Sequence, residues 1–234
     1  MKVLAIGCHP DDIEVSCAGT LARYRREGHE VILCHVANGN MGHAVILPDE
    51  LRAIRAMEAK RSGALIGAEV LTCDIDDMAV YSGQKEQRDK VVDIIRYAQP
   101  DVIITHSPDD YMPDHVEVSK LVFDAAFAAS VPHYATARTS SAKLTSIYYM
   151  DHLAGINFHP TEYVDITDTM DIKLQMLEMH VSQMKWMRDH DNIDFAEFIT
   201  TCARFRGLQS VVKYAECFTQ CQTWPKLTTR RLLP

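Results

Sequence analysis

The chain has 234 residues, 47% hydrophobic and 24% charged, with a net charge of −8. That composition supports a sizeable globular core, and its acidic balance excludes a nucleic-acid partner, which would need a basic face. No apolar run approaches the roughly 18–20 residues that cross a bilayer, so no membrane partner is expected.

The opening "KVLAIG" (2–7) reads as a strand rather than a signal peptide, because "HPDDIE" follows at once. A helix is expected from about Val15 to Glu27, then a strand "EVILCHV" (30–36) and a helix from about Pro48 to Ile66. Next come a strand "EVLTC" (69–73), a helix over 84–98, a strand "DVIITH" (101–106), a helix from about 115 to 130 and a strand over 144–150. This alternation implies a mostly parallel sheet with helices on both faces, and the continuous apolar strands are those of a sheet buried on both sides. Beyond 150, "TEYVDIT" reads as a strand, "DIKLQMLEMHVSQMKWMRDH" as one long helix and "DFAEFITTCARFRGLQ" as a shorter one. "SVVKYAECF" is strand-like, and "QTWPKLTTRRLLP" has no clear period. No linker or repeat divides the chain, so one α/β domain is expected over 1–234, with core units to about 150 and a C-terminal elaboration after it. Seven cysteines, mostly inside apolar runs such as "VILCHV", fit free thiols in a reducing, cytoplasmic compartment. Cys217 and Cys221 lack a second pair nearby and do not read as a zinc site.

In open α/β sheets ligands bind beyond the carboxyl ends of the strands, where strand order reverses. "CHPDDIE" lies at such an end, where Pro10 forces a turn and His9 and Asp12 can converge on one point. The fourth strand runs into "THSPDDYMPDHVEVSK", which adds His115. A set of His9, Asp12 and His115 would hold a metal with open positions, the arrangement of a catalytic site that acidifies water. Asp11 is then a base beside the metal rather than a ligand. Read singly, Asp12 is a helix cap, Asp109 and Asp110 are turn formers, and His115 is weak evidence. Their joint placement at two strand ends carries the reading.

Together, "HPDDIE", "CAGTLARYRREGHEV", "RAMEAKRSGALIGAEV" and "PDVIITHSPDDYMPDH" resemble the PIG-L/LmbE-type deacetylases. The resemblance implies a Rossmann-like fold and zinc-dependent removal of acetyl groups from N-acetylglucosamine-type sugars, with a homo-oligomer as the assembled form. Zn²⁺ is the expected cofactor, another divalent metal such as Fe²⁺ its alternative, and a small N-acetylated sugar or conjugate the partner. His9, Asp12 and His115 match the family's metal ligands and Asp11 its general base. Asp114 matches an acidic neighbour of the last ligand, and Arg55 loosely matches a substrate-binding arginine. Met112 stands where many members carry a histidine thought to stabilise the oxyanion or protonate the leaving amine. Either His106 or His180 replaces it, or Asp11 performs both proton transfers. His106 and Asp110 are the remaining candidates near the fourth strand; His180 lies on a methionine stripe with Met176, Met184 and Met187, which is ordinarily core.

Three other readings compete. A two-histidine, one-carboxylate iron oxygenase fits the ligands but commonly uses an all-β scaffold. A phosphoacceptor module would use "LTCDIDDM" but lacks its lysine and half of this length suffices for it. A dinucleotide-binding protein lacks G-x-G-x-x-G after the first strand.

Overall fold

A computed structural model of the chain describes residues 1–224 and 230–234. Residues 225–229 of the C-terminal stretch expected to lack a period lie outside the described residues. β1 (Lys2–Gly7), β2 (Glu30–Ala37), β3 (Glu69–Ile75), β4 (Val102–Thr105) and β5 (Ser146–Met150) form a parallel ladder, and β6 (Glu162–Asp165) and β7 (Ala215–Gln220) extend it antiparallel. The order is β3-β2-β1-β4-β5-β7-β6. The chain leaves β1 towards β2 on one side and returns through β4 on the other, which opens a crevice at the carboxyl ends of β1 and β4. The α/β expectation holds, with two antiparallel strands at one edge.

Alternation along β1 divides the core. Leu4 and Ile6 face the layer of α4 (Lys85–Ala98) and α5 (Pro113–Ser130), packing with Val92, Ile95, Leu121 and Val122. Val3 and Ala5 face the opposite layer, with Ile13, Leu21, Tyr24 and Met176. That layer holds α1 (Asp12–Ser16), α2 (Ala18–Arg26), α3 (Pro48–Leu65), α6 (Met170–Glu178), α7 (Val181–Asp189) and α8 (Phe195–Ser210).

Two expected helices are broken, and each break has a buried carboxylate behind it. The helix expected over 15–27 is interrupted at Cys17, whose φ is −147°. Glu216 of β7 accepts the amides of Gly19 and Thr20 at 2.9 and 2.7 Å, and Lys173 of α6 donates to the carbonyl of Val15 at 2.7 Å. Lys173 and Glu216 pair at 2.6 Å with 1% and 5% exposure. The ion pair thus replaces the helical hydrogen bonds lost at the break. The long helix expected over 171–190 divides at His180, and Glu58 of α3 caps α7 by accepting Ser182 N–H and Oγ–H at 2.8 and 2.6 Å. The strand expected over 210–218 begins at Ala215, because α8 runs to Ser210. The helix expected from His115 begins two residues earlier, on Pro113 at its first turn. All seven cysteines are free, and no helix among the described residues is long and apolar enough to cross a membrane.

Since Lys173 and Glu216 come from the C-terminal elaboration and hold α1 and α2, breaking the pair should loosen both regions together. Lys173→Met leaves a buried carboxylate unpaired and is expected to cost about 3–5 kcal/mol. Urea denaturation followed by far-UV circular dichroism should show this as a lower midpoint of one cooperative transition. A loss under about 1 kcal/mol would mean that the pair does not hold the break.

Candidate active site

Four residues separate β1 from α1, and across them the chain must turn and present the carboxylate of Asp11 beside that of Asp12, the first residue of α1. Pro10 fixes one φ, and Asp11 absorbs the rest of the turn at φ 129°, ψ −22°. This is the left-handed half of backbone space, where a side chain costs about 1–3 kcal/mol. The turn sends the neighbouring carboxylates in opposite directions, so their repulsion is met by different partners. Asp11 Oδ1 accepts from Arg55 Nη2 at 2.9 Å, and the same guanidinium donates to the carbonyls of Pro10 and Gly39. Gly39 has φ 78°, and a Cβ there would sit 2.6 Å from Arg55 Nε, so this close passage requires glycine.

Asp12 turns the other way. Its Oδ2 accepts the His9 amide at 2.6 Å and lies 3.5 Å from His9 Nδ1, 3.2 Å from His106 Nε2 and 3.3 Å from His115 Nε2. Two of the imidazoles are oriented from behind. Asp114 lies 3.3 Å from His9 Nε2 and also accepts the Met78 amide at 2.8 Å; Asp110 lies 3.0 Å from His115 Nδ1 and accepts the Met112 amide at 3.0 Å. His106 Nε2 accepts the Cys8 amide at 2.9 Å, which occupies that nitrogen's lone pair. His115 Nε2 is buried without a hydrogen-bond partner and faces a carboxylate. A lone pair aimed at an anion calls for a proton or a cation between them. Among the described residues, two groups bring ligand atoms within 4.8 Å of one another, Cys8 with His9 and Asp12, and Asp12 with His106 and His115, so a metal ion fits the donor chemistry and Asp12 belongs to both groups; His106 Nε2 already accepts the Cys8 amide.

Electrostatics agree with this division of labour. Burial penalises the Asp12 anion, but His115 and the hydrogen bonds from the imidazoles outweigh it and hold the carboxyl well below its usual range. Burial, reinforced by the His115 charge, pushes His106 down to about 4, as suits an acceptor imidazole. Burial opposes the His115 cation, yet Asp12 and Asp110 raise it to about 9. Burial pushes Asp11 up to about 6 against the pull of Arg55.

These groups floor a cleft of about 450 Å³ that Asp11, Arg55, Met112 and Asp77 also line. Asp77, not singled out in the sequence beyond its place in "LTCDIDDM", accepts the amides of Gly39 and Met41 at 2.8 and 3.0 Å and fixes the loop over the cleft. The opposite wall is Gln183, Trp186 and Met187 of α7, with Phe195. Their helical period resembles ordinary core, and no local signal marks them as lining. His180 is not in this wall. It is fully buried at the α6–α7 break, 3.2 Å from Glu14 Oε1, and does not line the cleft. The substitute acid expected there is absent, because the helix break turns the ring towards Glu14, which also accepts from Ser62. His106 does reach the cleft, but at 3% exposure and with its Nε2 committed to Cys8.

Two predictions test this geometry. Asp11→Gly and Asp11→Ala remove the same carboxylate and leave Arg55 equally unpaired, so their difference reads the backbone strain alone. The glycine variant is expected to be the more stable by about 1–3 kcal/mol, opposite to the usual ranking of these two residues; equal denaturation midpoints would show Asp11 to be unstrained. The second concerns pH. His115 of the metal-free protein titrates near 9 against 6.5 unfolded, so its stabilising contribution is complete below about 6.5 and is lost as pH rises through about 9. The midpoint of chelator-treated protein should fall across this window, and His115→Asn should flatten the profile.

A family model described as PIG-L, GlcNAc-PI de-N-acetylase, matches residues 4–126. The diacetylchitobiose deacetylase of Thermococcus kodakarensis is 28% identical over 231 residues, covering 92% of this chain and 81% of its own. The crystal structure of N,N'-diacetylchitobiose deacetylase from Pyrococcus horikoshii superposes with a TM-score of 0.81 at 27% identity, over 94% of this chain and 83% of that one. GalB, the 4-carboxy-2-hydroxymuconate hydratase of Pseudomonas putida KT2440, superposes with a TM-score of 0.83 over 99% of this chain and 100% of its own, at 21% identity, a likeness of fold alone. On the extent of the family match, which takes in both strand ends that build the cleft, the chain belongs to the PIG-L family.

Proposed function

We propose that the chain is a metal-dependent hydrolase that removes an acetyl or other acyl group from an N-acylated amino sugar or related small molecule. The observation that carries this reading is one carboxylate oxygen, Asp12 Oδ2, ringed by imidazole nitrogens while the strained Asp11 lines the same cleft. Deacetylase relatives covering most of the chain support it.

His9, Asp12 and His115 would hold the metal, zinc by the mixed nitrogen and oxygen donor set. Bound there, it would supply a Lewis acid and lower the pKa of a water. The chain's own residues do the rest. Asp11, held by Arg55, accepts the proton of the attacking water and delivers it to the departing amine. Arg55 turns Nη1 and Nη2 to Gly39, Pro10 and Asp11, so it positions the base, while its Nε–H stays without a partner. Met112 can neither donate a proton nor carry charge, and His180 stands outside the cleft, which leaves both transfers to Asp11. The unbonded cysteines support a reducing, cytoplasmic setting, and a homo-oligomer remains part of the proposal.

A second reading follows from Met112 and the shared fold of the hydratase. Adding water across an activated double bond expels no amine and needs no acid at position 112. Acetate release from N-acetylated sugars, measured beside hydration of 4-carboxy-2-hydroxymuconate, separates the two.

Metal analysis should find one equivalent in the wild type and little in His115→Ala. Asp11→Asn should keep its metal and lose about 10²–10⁴-fold in turnover. Loss of metal and activity together would make Asp11 a ligand, and a full equivalent in His115→Ala would overturn the ligand set.

A further inference from the structure

The walls of the cleft say more about the substrate than its floor does. Most of the carboxylates that line it are engaged by the protein itself. Asp77 holds the amides of Gly39 and Met41, Asp114 that of Met78, and Asp151 takes both arms of Arg206 at 2.7 and 2.9 Å. Asp191 lies 2.7 Å from His190 Nδ1. Among the described residues, the lining side chains of Ser16 and Gln183, the Tyr111 hydroxyl and the Trp186 indole N–H show no hydrogen bond, and Arg55 Nε and His115 Nε2 are buried without a partner. A disaccharide presents many hydroxyls and would find few open partners.

What the mouth offers instead is apolar. Met41, Met78 and Tyr111 line it from three separate loops and are 56%, 73% and 52% exposed. Trp186, Met187 and Phe195 face them from α7 and the start of α8. Trp186 is stacked on His190 at 3.9 Å and flanked by His43 at 5.4 Å. Exposed large apolar side chains gathered round one opening mark a binding surface, and the surface is continuous with the cleft floor.

We propose that the substrate's amine portion carries an apolar aryl or alkyl group, which lies between Met41, Met78 and Tyr111 on one side and Trp186 on the other, where an oligosaccharide would place a second sugar. This rests on the hydrolase reading and names its substrate class. The floor takes the amide, and the apolar group is removed from water at the mouth.

The test uses the full-length, metal-loaded protein. Acetate release is compared for N,N'-diacetylchitobiose and for the phenyl and octyl β-glycosides of N-acetylglucosamine, which share one scissile amide. The apolar glycosides should have a kcat/KM higher by about tenfold or more, since even one methylene in a fitted apolar site is worth that much. Trp186→Ala and the surface change Met78→Ser should each bring the ratio towards one. Octyl β-glucosaminide, the deacylated product, gives a readout without turnover: calorimetric binding should weaken about tenfold in Trp186→Ala. Equal or better turnover of diacetylchitobiose, or an apolar preference that survives both substitutions, overturns the proposal. So does a fall in the sedimentation coefficient of both variants with the ratio unchanged, which would make the collar a contact between subunits. If no acetate is released from any substrate but octyl glucosaminide binds and depends on Trp186, the apolar wall stands and the hydrolase reading fails.

Discussion

A single buried guanidinium fixes where everything else can go. Arg55, 3% exposed, bonds to the carbonyls of Pro10 and Gly39 and to the Asp11 carboxylate, and so joins the β1–α1 turn to the loop after β2. Without that cation, two adjacent buried carboxylates would be costly to keep ionised. With it, Asp11 is held in a conformation that most side chains avoid, and Asp12 is released towards the histidines. The strain is local, and a rigid helix, α3, holds it in place.

Much of this was legible in the sequence because it is written in short-range patterns. Apolar runs alternating with helical periods specify the parallel sheet, and the sheet specifies that residues after β1 and β4 meet. His9, Asp12, His115, His106, Asp110 and Asp114 come together for that reason. The breaks at Cys17 and His180 were illegible because their caps lie far along the chain: Glu216 serves Gly19, and Glu58 serves Ser182. A helix signal built from neighbours three and four residues apart cannot register a partner more than a hundred residues away. The methionine stripe marked His180 as core, and core is where it lies, fully buried at the second break beside Glu14. Arg55 was visible as a charge on a helix, but its partner could be known only once the turn at Asp11 was seen.

Second contacts decide the roles of the imidazoles more than the first ones do. Three nitrogens, one from each of three rings, crowd near Asp12, yet the Cys8 amide engages one of them, and Asp114 and Asp110 hold the far nitrogens of the other two rings. A backbone N–H distinguishes otherwise equivalent histidines robustly, because every substitution at that position except proline keeps it.

The two halves of the cleft come from different stretches of the chain. The carboxylates and imidazoles of its floor lie between His9 and His115, inside the segment matched by the family model, whereas Trp186, Met187 and Phe195 lie beyond it. Glu58 secures the entry to α7 through Ser182. Descendants of such a chain could therefore inherit an unaltered floor while exchanging the wall, and a new ligand could be acquired by drift in the later codons alone.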